Sequence, residues 1–250
     1  MDYYIITGAS RGLGEAIVEQ LIGKETIIYY LSRTKNQALH KLASSKKVKL
    51  FFEECDLSNI DQAQAVFKKV LTHVDNQNAK KITLINNAGM VNPIKNVGTA
   101  QAEDMISNVH LNLLTPMLLS DMFIKHTKEF NTKAVIANIT SGAANRPISG
   151  WSVYCSTKAG LNMFTNTIGV EQNEGQNQVM TIGFSPGVMD TEMQQTIRKA
   201  DKEDFSAIDQ FKEFHEKGML RSPSFVAQVF VQLLSMTLEN GRIYDVKEFV

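Results

Sequence analysis

Short runs of branched and aromatic residues recur along this 250-residue chain, at Tyr3–Thr7, Thr26–Leu31, Val48–Glu53, Ile82–Asn86, Ala134–Ile139, Val179–Phe184 and Ile243–Asp245. Between them lie stretches with helical spacing of apolar residues, over 12–22, 36–45, 59–74, 102–113, 116–129, 152–172 and 222–238, with another around 203–217. Parallel strands need long connections and helices supply them, so this alternation restricts the chain to the α/β class. The expected architecture is one doubly wound parallel sheet of about seven strands with helices on both faces. Polar turn signals fall between the elements at Asp75–Asn78, Gln172–Asn177 and Asn240-Gly241. With no linker and no internal repeat, residues 1–250 read as a single domain.

Composition removes several functions. The 26 basic and 26 acidic residues cancel, leaving no long-range field to attract nucleic acid or an anionic membrane. No apolar run reaches the roughly 18–20 residues that span a bilayer. A strand begins almost at the first residue, leaving no room for a signal peptide, so a cytoplasmic protein is expected. Cys55 and Cys155 are a hundred residues apart and the five histidines are scattered, which predicts no metal site and no disulfide framework. Region 188–217 stands apart: it follows a Pro-Gly bend and runs through mixed charges. It reads either as a solvated helix pair or as a mobile lid over a site.

The first strand runs into Gly8-Ala9-Ser10-Arg11-Gly12-Leu13-Gly14 and then a helical pattern. Glycines permit a sharp turn and close backbone approach, and the free amides at the helix start face an anion. A pyrophosphate is the expected occupant, although the G-x-x-x-G-x-G spacing differs from the commoner G-x-G-x-x-G. After the second strand, Ser32-Arg33-Thr34 contains no carboxylate to accept from an adenosine 2′-hydroxyl. Arg33, with Arg11, offers guanidinium donors to a 2′-phosphate instead, favouring NADP over NAD. Asp56, with Leu57 beside it, is placed at the adenine.

Tyr154 and Lys158 are four apart in a helical stretch and share a face. A phenol with an ordinary pKa near 10 is a poor acid–base group at neutral pH, and a neighbouring ammonium would lower it. A shift of about three units needs about 4 kcal/mol, which requires help from a cofactor charge and partial burial. The chain also carries Asn86-Asn87-Ala88-Gly89 after the fourth strand, Asn112 in a helix, Ser141 thirteen residues before Tyr154, and Pro186-Gly187 after the sixth strand. Ligands bind at the carboxyl edge of an open parallel sheet, where these motifs fall.

With these motifs in this order over essentially the whole length, the chain resembles the short-chain dehydrogenase/reductases. The resemblance implies a Rossmann-type domain in which Tyr154 donates a proton to a carbonyl oxygen and Ser141 hydrogen-bonds that oxygen. It implies that Lys158 bonds the nicotinamide ribose and tunes Tyr154, and that Asn112 holds a water relaying protons to Lys158. Asn87, Ala88 and Gly89 would line the cofactor pocket, and Pro186, Gly187, Val188 and Thr191 would hold its nicotinamide end. Such proteins often pair through the helices placed here at 116–129 and 152–172, so a homodimer or homotetramer is expected.

Within the family the chain is similar to the sepiapterin-reductase-like branch, on stretches such as Gly150-Trp151-Ser152-Val153-Tyr154-Cys155-Ser156 and Ser185-Pro186-Gly187-Val188-Met189-Asp190-Thr191. That likeness implies NADPH-dependent reduction of one carbonyl of an aromatic α-diketone. Met90, Ala143, Ala144, Trp151, Met189 and Met193 flank the reacting centre and suit an apolar, polarizable substrate pocket. Two other readings stand beside it. One is an NAD(P)-linked alcohol or hydroxysteroid-type dehydrogenase, against which the missing acid after the second strand counts. The other is a non-catalytic dinucleotide sensor, which would have no need of the proton donor.

Overall fold

The computed structural model describes residues 1–75, 77–128, 130, 132–174 and 179–250. Seven strands, β1 (Asp2–Thr7), β2 (Thr26–Ser32), β3 (Lys49–Glu54), β4 (Lys81–Asn86), β5 (Lys133–Ile139), β6 (Met180–Ser185) and β7 (Ile243–Asp245), form one sheet in the order β3-β2-β1-β4-β5-β6-β7. Every neighbouring pair is parallel, with Thr7 opposite Leu31 and Ile6 opposite Ile85 across the centre. This is the doubly wound α/β fold expected. Of the turn signals, Asn76 and residues 175–177 lie outside the described residues, as does 129 at the end of the helix placed over 116–129.

Alternation within the strands separates two cores. Tyr4, Ile6, Ile28 and Tyr30 face α1 (Gly12–Leu21) and α9 (Pro223–Leu233), while Tyr3, Ile5, Ile27, Tyr29 and Leu31 face α3 (Ile60–Thr72) and α5 (Thr115–Thr127). Burial on both faces is why these strands read as continuous apolar runs. The short α2 (Gln37–Ser45) is N-capped by Asn36, whose side chain accepts from Leu39 N at 3.0 Å.

The helices placed at 102–113 and 116–129 are one continuous rod. α4 (Ala102–Val109) passes through a π turn at His110–Leu114 directly into α5. Pro116 suggests a break in the sequence, but it falls in the first turn of α5, where the wider π turn has already rerouted the backbone bonds; Thr115 N donates to His110 O. α6 (Ser152–Asn173) agrees with expectation. Region 188–217 holds two helices, α7 (Glu192–Arg198) and α8 (Ile208–Glu216), the second shorter than the helix placed around 203–217. No helix among the described residues is long and apolar enough to cross a membrane.

Phe230 of α9 is fully buried and its ring lies 5.0 Å from that of Phe184 on β6. Phe230→Ala should destabilise the fold by about 3–5 kcal/mol, read as a lower urea midpoint with an unchanged slope; a shift below about 1 kcal/mol would mean the neighbours refill the space.

Candidate active site

The carboxyl edges of β1 and β4 diverge where the strand order reverses, and side chains tie them together there. Thr7 Oγ1 accepts from Asn87 N and Ala88 N, both at 3.0 Å, and Asn87 Nδ2 donates to Thr7 O at 2.9 Å and Gly8 O at 3.0 Å. Gly8 has φ +68°, and a Cβ on it would lie 2.7 Å from Ala88 Cα, so only glycine lets the two loops touch. Asn36 adds a brace that sequence reasoning missed, donating from Nδ2 to Ser10 O at 3.0 Å and to Glu15 Oε1 at 2.6 Å. Asparagine at a helix start was the available signal, but a cap signal does not reveal a second, distant partner.

A cleft of about 1410 Å³ opens along this edge. All the residues expected at the cofactor and substrate sites line it except Gly14 and Asn112, which are buried, and Ala144. The residues fit a dinucleotide phosphate. Arg11 stands at the N-cap of α1 without a side-chain cap, leaving the first amides of the helix to a ligand, and Gly12 and Leu13 line the cleft there. Farther along the cleft, beside Arg33, Asp56 Oδ1 accepts from Ser58 N and Ser58 Oγ, at 3.0 and 2.7 Å. These bonds to Ser58 are the main reason its carboxyl titrates below the usual range; the nearby Arg33 charge adds to them. Arg33 is exposed. Arg11 lines the same cleft and pairs with Glu192 at the start of α7, both side chains being more than half exposed. Such a surface pair is worth about 0–1 kcal/mol, little enough to exchange for a phosphate.

Ser141, two residues past β5, caps a 3-10 turn (Gly142–Asn145), its Oγ accepting from Ala143 N at 3.2 Å. Opposite stand Tyr154 and Lys158, one turn apart on α6 and both buried. Burial pushes the Tyr154 phenol up, and its hydrogen bond with Ser141 opposes the rise only in part. In the protein alone desolvation dominates; the lowering by Lys158 was expected only with help from a cofactor charge. The Lys158 ammonium is turned to the strand, donating to Ile139 O at 2.9 Å, and burial lowers its own pKa to about 8.

Asn112 lies in the π turn with its amide engaged. Nδ2 donates to Met90 O at 2.7 Å and Asn108 Oδ1 at 2.9 Å, and Oδ1 accepts from Met90 N at 2.9 Å. Beside Gly89, the point where another residue would carry its Cβ is 3.2 Å from Asn112 Oδ1 and 3.6 Å from Lys158 Nζ.

The end of the cleft around Tyr154 is apolar. Trp151 stacks on Phe205 at 5.0 Å and meets Tyr154 and Phe211 edge-on, both at 5.3 Å. Phe205, Ile208 and Phe211 are buried with Trp151, Tyr154 and Ala143 in a third core. Segment 201–211 is docked closely: a Cβ on Gly150 (φ +80°) would fall 2.2 Å from Asp204 O, and Lys95 Nζ bonds Asp204 Oδ2 at 2.5 Å. Phe205 and Phe211 were not expected at the site, although the spacing of Phe205, Ile208 and Phe211 carries an apolar signal beneath the charges. Ala144 departs from expectation, lying outside the cleft in a shallow depression with Pro147 and Cys155.

Lys158 titrates near 8 in the folded chain against an ordinary 10.5. Between these values the unfolded chain binds more protons, so stability rises with pH across the window. Below it the buried ammonium costs up to about 3 kcal/mol. Lys158→Met should therefore raise the urea midpoint at pH 7, with the gain shrinking between pH 8 and 10.5; no gain at pH 7 would contradict this burial cost.

Comparison with known proteins agrees with the geometry. The short chain dehydrogenase family model matches residues 3–202. Benzil reductase ((S)-benzoin forming) of Bacillus subtilis (strain 168) is 48% identical over 250 residues, covering 100% of both chains. Sepiapterin reductase of Rattus norvegicus is 25% identical over 256 residues, covering 96% of this chain and 94% of its own. Among solved structures, the KRED1-Pglu enzyme superposes with a TM-score of 0.84 at 25% identity, over 98% of this chain and 100% of that one. With the family model matching most of the chain and a relative 48% identical along its whole length, the chain belongs to the short chain dehydrogenase family.

Proposed function

We propose that this chain is an NADPH-dependent carbonyl reductase that reduces one carbonyl of an aromatic α-diketone such as benzil, giving (S)-benzoin. One observation carries the reading: a buried phenol, hydrogen-bonded by Ser141, stands in an aromatic wall of the cleft that begins at the glycine loop. The full-length likeness to a benzil reductase supports the choice of substrate, and the stereochemistry rests on that likeness.

The bound dinucleotide supplies the hydride. Tyr154 holds a proton on its hydroxyl, and the raised pKa keeps it there until a carbonyl oxygen gains charge beside it. Ser141 hydrogen-bonds the same oxygen and fixes its position. Lys158 bonds the ribose and exchanges protons near neutral pH. A water beside Gly89, within reach of Asn112 Oδ1 and Lys158 Nζ, would connect Lys158 to solvent and allow Tyr154 to be reprotonated. Ala143, Trp151, Met189 and Met193 hold the aromatic groups and exclude water. Residues 188–217 act as the substrate lid, a role supported by the docking of Phe205 and Phe211 on Trp151.

Two unpaired thiols, Cys55 and Cys155, suit the reducing cytoplasm. The exposed Met163 and Val170 on α6, 68% and 60% accessible, suit pairing with a second copy in a homodimer or homotetramer.

Loss of NADPH absorbance on adding benzil tests the activity. Tyr154→Phe should lower kcat by at least about 10²-fold, and unchanged turnover would remove Tyr154 as the acid. For the cofactor, Arg33→Ala should raise KM for NADPH more than for NADH; equal increases would mean that Arg33 does not read the 2′-phosphate.

A further inference from the structure

Ser141 follows β5 by two residues whereas Tyr154 and Lys158 come from α6, so their mutual geometry depends on how firmly the strand end is held against the helix. Four consecutive residues bond one stripe of α6. Asn138 Nδ2 donates to Thr165 Oγ1 at 2.9 Å, Ile139 O accepts from Lys158 Nζ at 2.9 Å, Thr140 Oγ1 donates to Asn162 Oδ1 at 2.5 Å, and Ser141 bonds Tyr154. Residues 154, 158, 162 and 165 recur at helical spacing along that stripe. The Asn138–Thr165 rung continues into the core through Asn86, whose Nδ2 donates to Asn138 Oδ1 at 2.8 Å. The Thr140–Asn162 rung has no such continuation and no part in the chemistry above. It lies one residue from Ser141 and one helical turn from Lys158.

We propose that Asn162 is a positioning residue: by accepting from Thr140 it clamps the end of β5 to α6 and sets the distance between the Ser141 hydroxyl and the Tyr154 phenol. Thr140 is buried, and its hydroxyl has no other acceptor among the described residues. Loss of the Asn162 oxygen therefore strands a buried donor, which must turn to find a partner and carries the adjoining Ser141 with it. From the other side Thr140 N donates to Phe184 O at 2.9 Å, so the strand end can pivot but not leave.

The inference rests on the carbonyl-reductase reading, and the experiment separates the two. Asn162→Leu, Asn162→Asp, Thr140→Val and the Asn162→Leu/Thr140→Val pair are assayed with NADPH and benzil beside Tyr154→Phe. Asn162→Leu should lower kcat roughly 10–100-fold, leave KM for NADPH within about twofold of the parent, and move the upper pH break of kcat higher, because the phenol loses its bond to Ser141. Asn162→Asp keeps the acceptor and should recover most of kcat. Thr140→Val, close in shape, should reproduce the loss, and the double variant should be no worse than either single. Parent kcat in Thr140→Val, additive losses in the pair, or Asn162→Asp as impaired as Asn162→Leu would overturn the positioning role. Parent turnover in Tyr154→Phe would overturn the reading beneath it instead.

Discussion

The bonding of Thr7 to the 87–88 backbone is the constraint on which the cleft depends. β1 and β4 are neighbours whose following helices pack on opposite faces of the sheet, so their ends must separate and a crevice must open. Left alone, the crevice would expose backbone amides without fixed positions. Thr7 and Asn87 hold the two loops in contact through bonds of 2.9–3.0 Å, and Gly8 makes that contact sterically possible. The uncapped start of α1 is thereby held in place at the cleft with its first amides free of a side-chain cap.

The titratable pair occupies the other wall and is destabilised by its setting. Tyr154 and Lys158 are buried, and burial drives both away from the charged form, the phenol upward and the ammonium downward. A helix docked with such groups facing inward needs compensating contacts. It obtains them from Ile139 O, Thr140 and Asn138 on β5, which link the reacting side chains directly to the central sheet. Stability is spent at the site in order to hold an ammonium whose proton can leave nearer neutral pH beside a phenol that keeps its own.

Much of this was legible from the residues alone. Apolar periodicity located the strands because a sheet buried on both faces demands uninterrupted branched residues. Glycine spacing located the tight turn between β1 and α1 because only glycine permits the close approach to Ala88. Partner choice was less legible. Arg11 carries no mark in the sequence of pairing with Glu192, nor does Asn36 of bracing Ser10, because both contacts join elements that the sheet alone brings together. The charges of 188–217 masked Phe205 and Phe211, since burial of that segment depends on Trp151 and Gly150 some fifty residues away.

The sequence by itself determined the class of fold, the order of motifs along one sheet edge and the identities of the groups available for chemistry, because these follow from local spacing and side-chain type. Only the tertiary structure decided their electrostatic state and mutual distances. Desolvation is a property of what surrounds a group, so the upward shift of Tyr154 and the downward shift of Lys158 could be known only once β5, α6 and the 201–211 segment had closed around them.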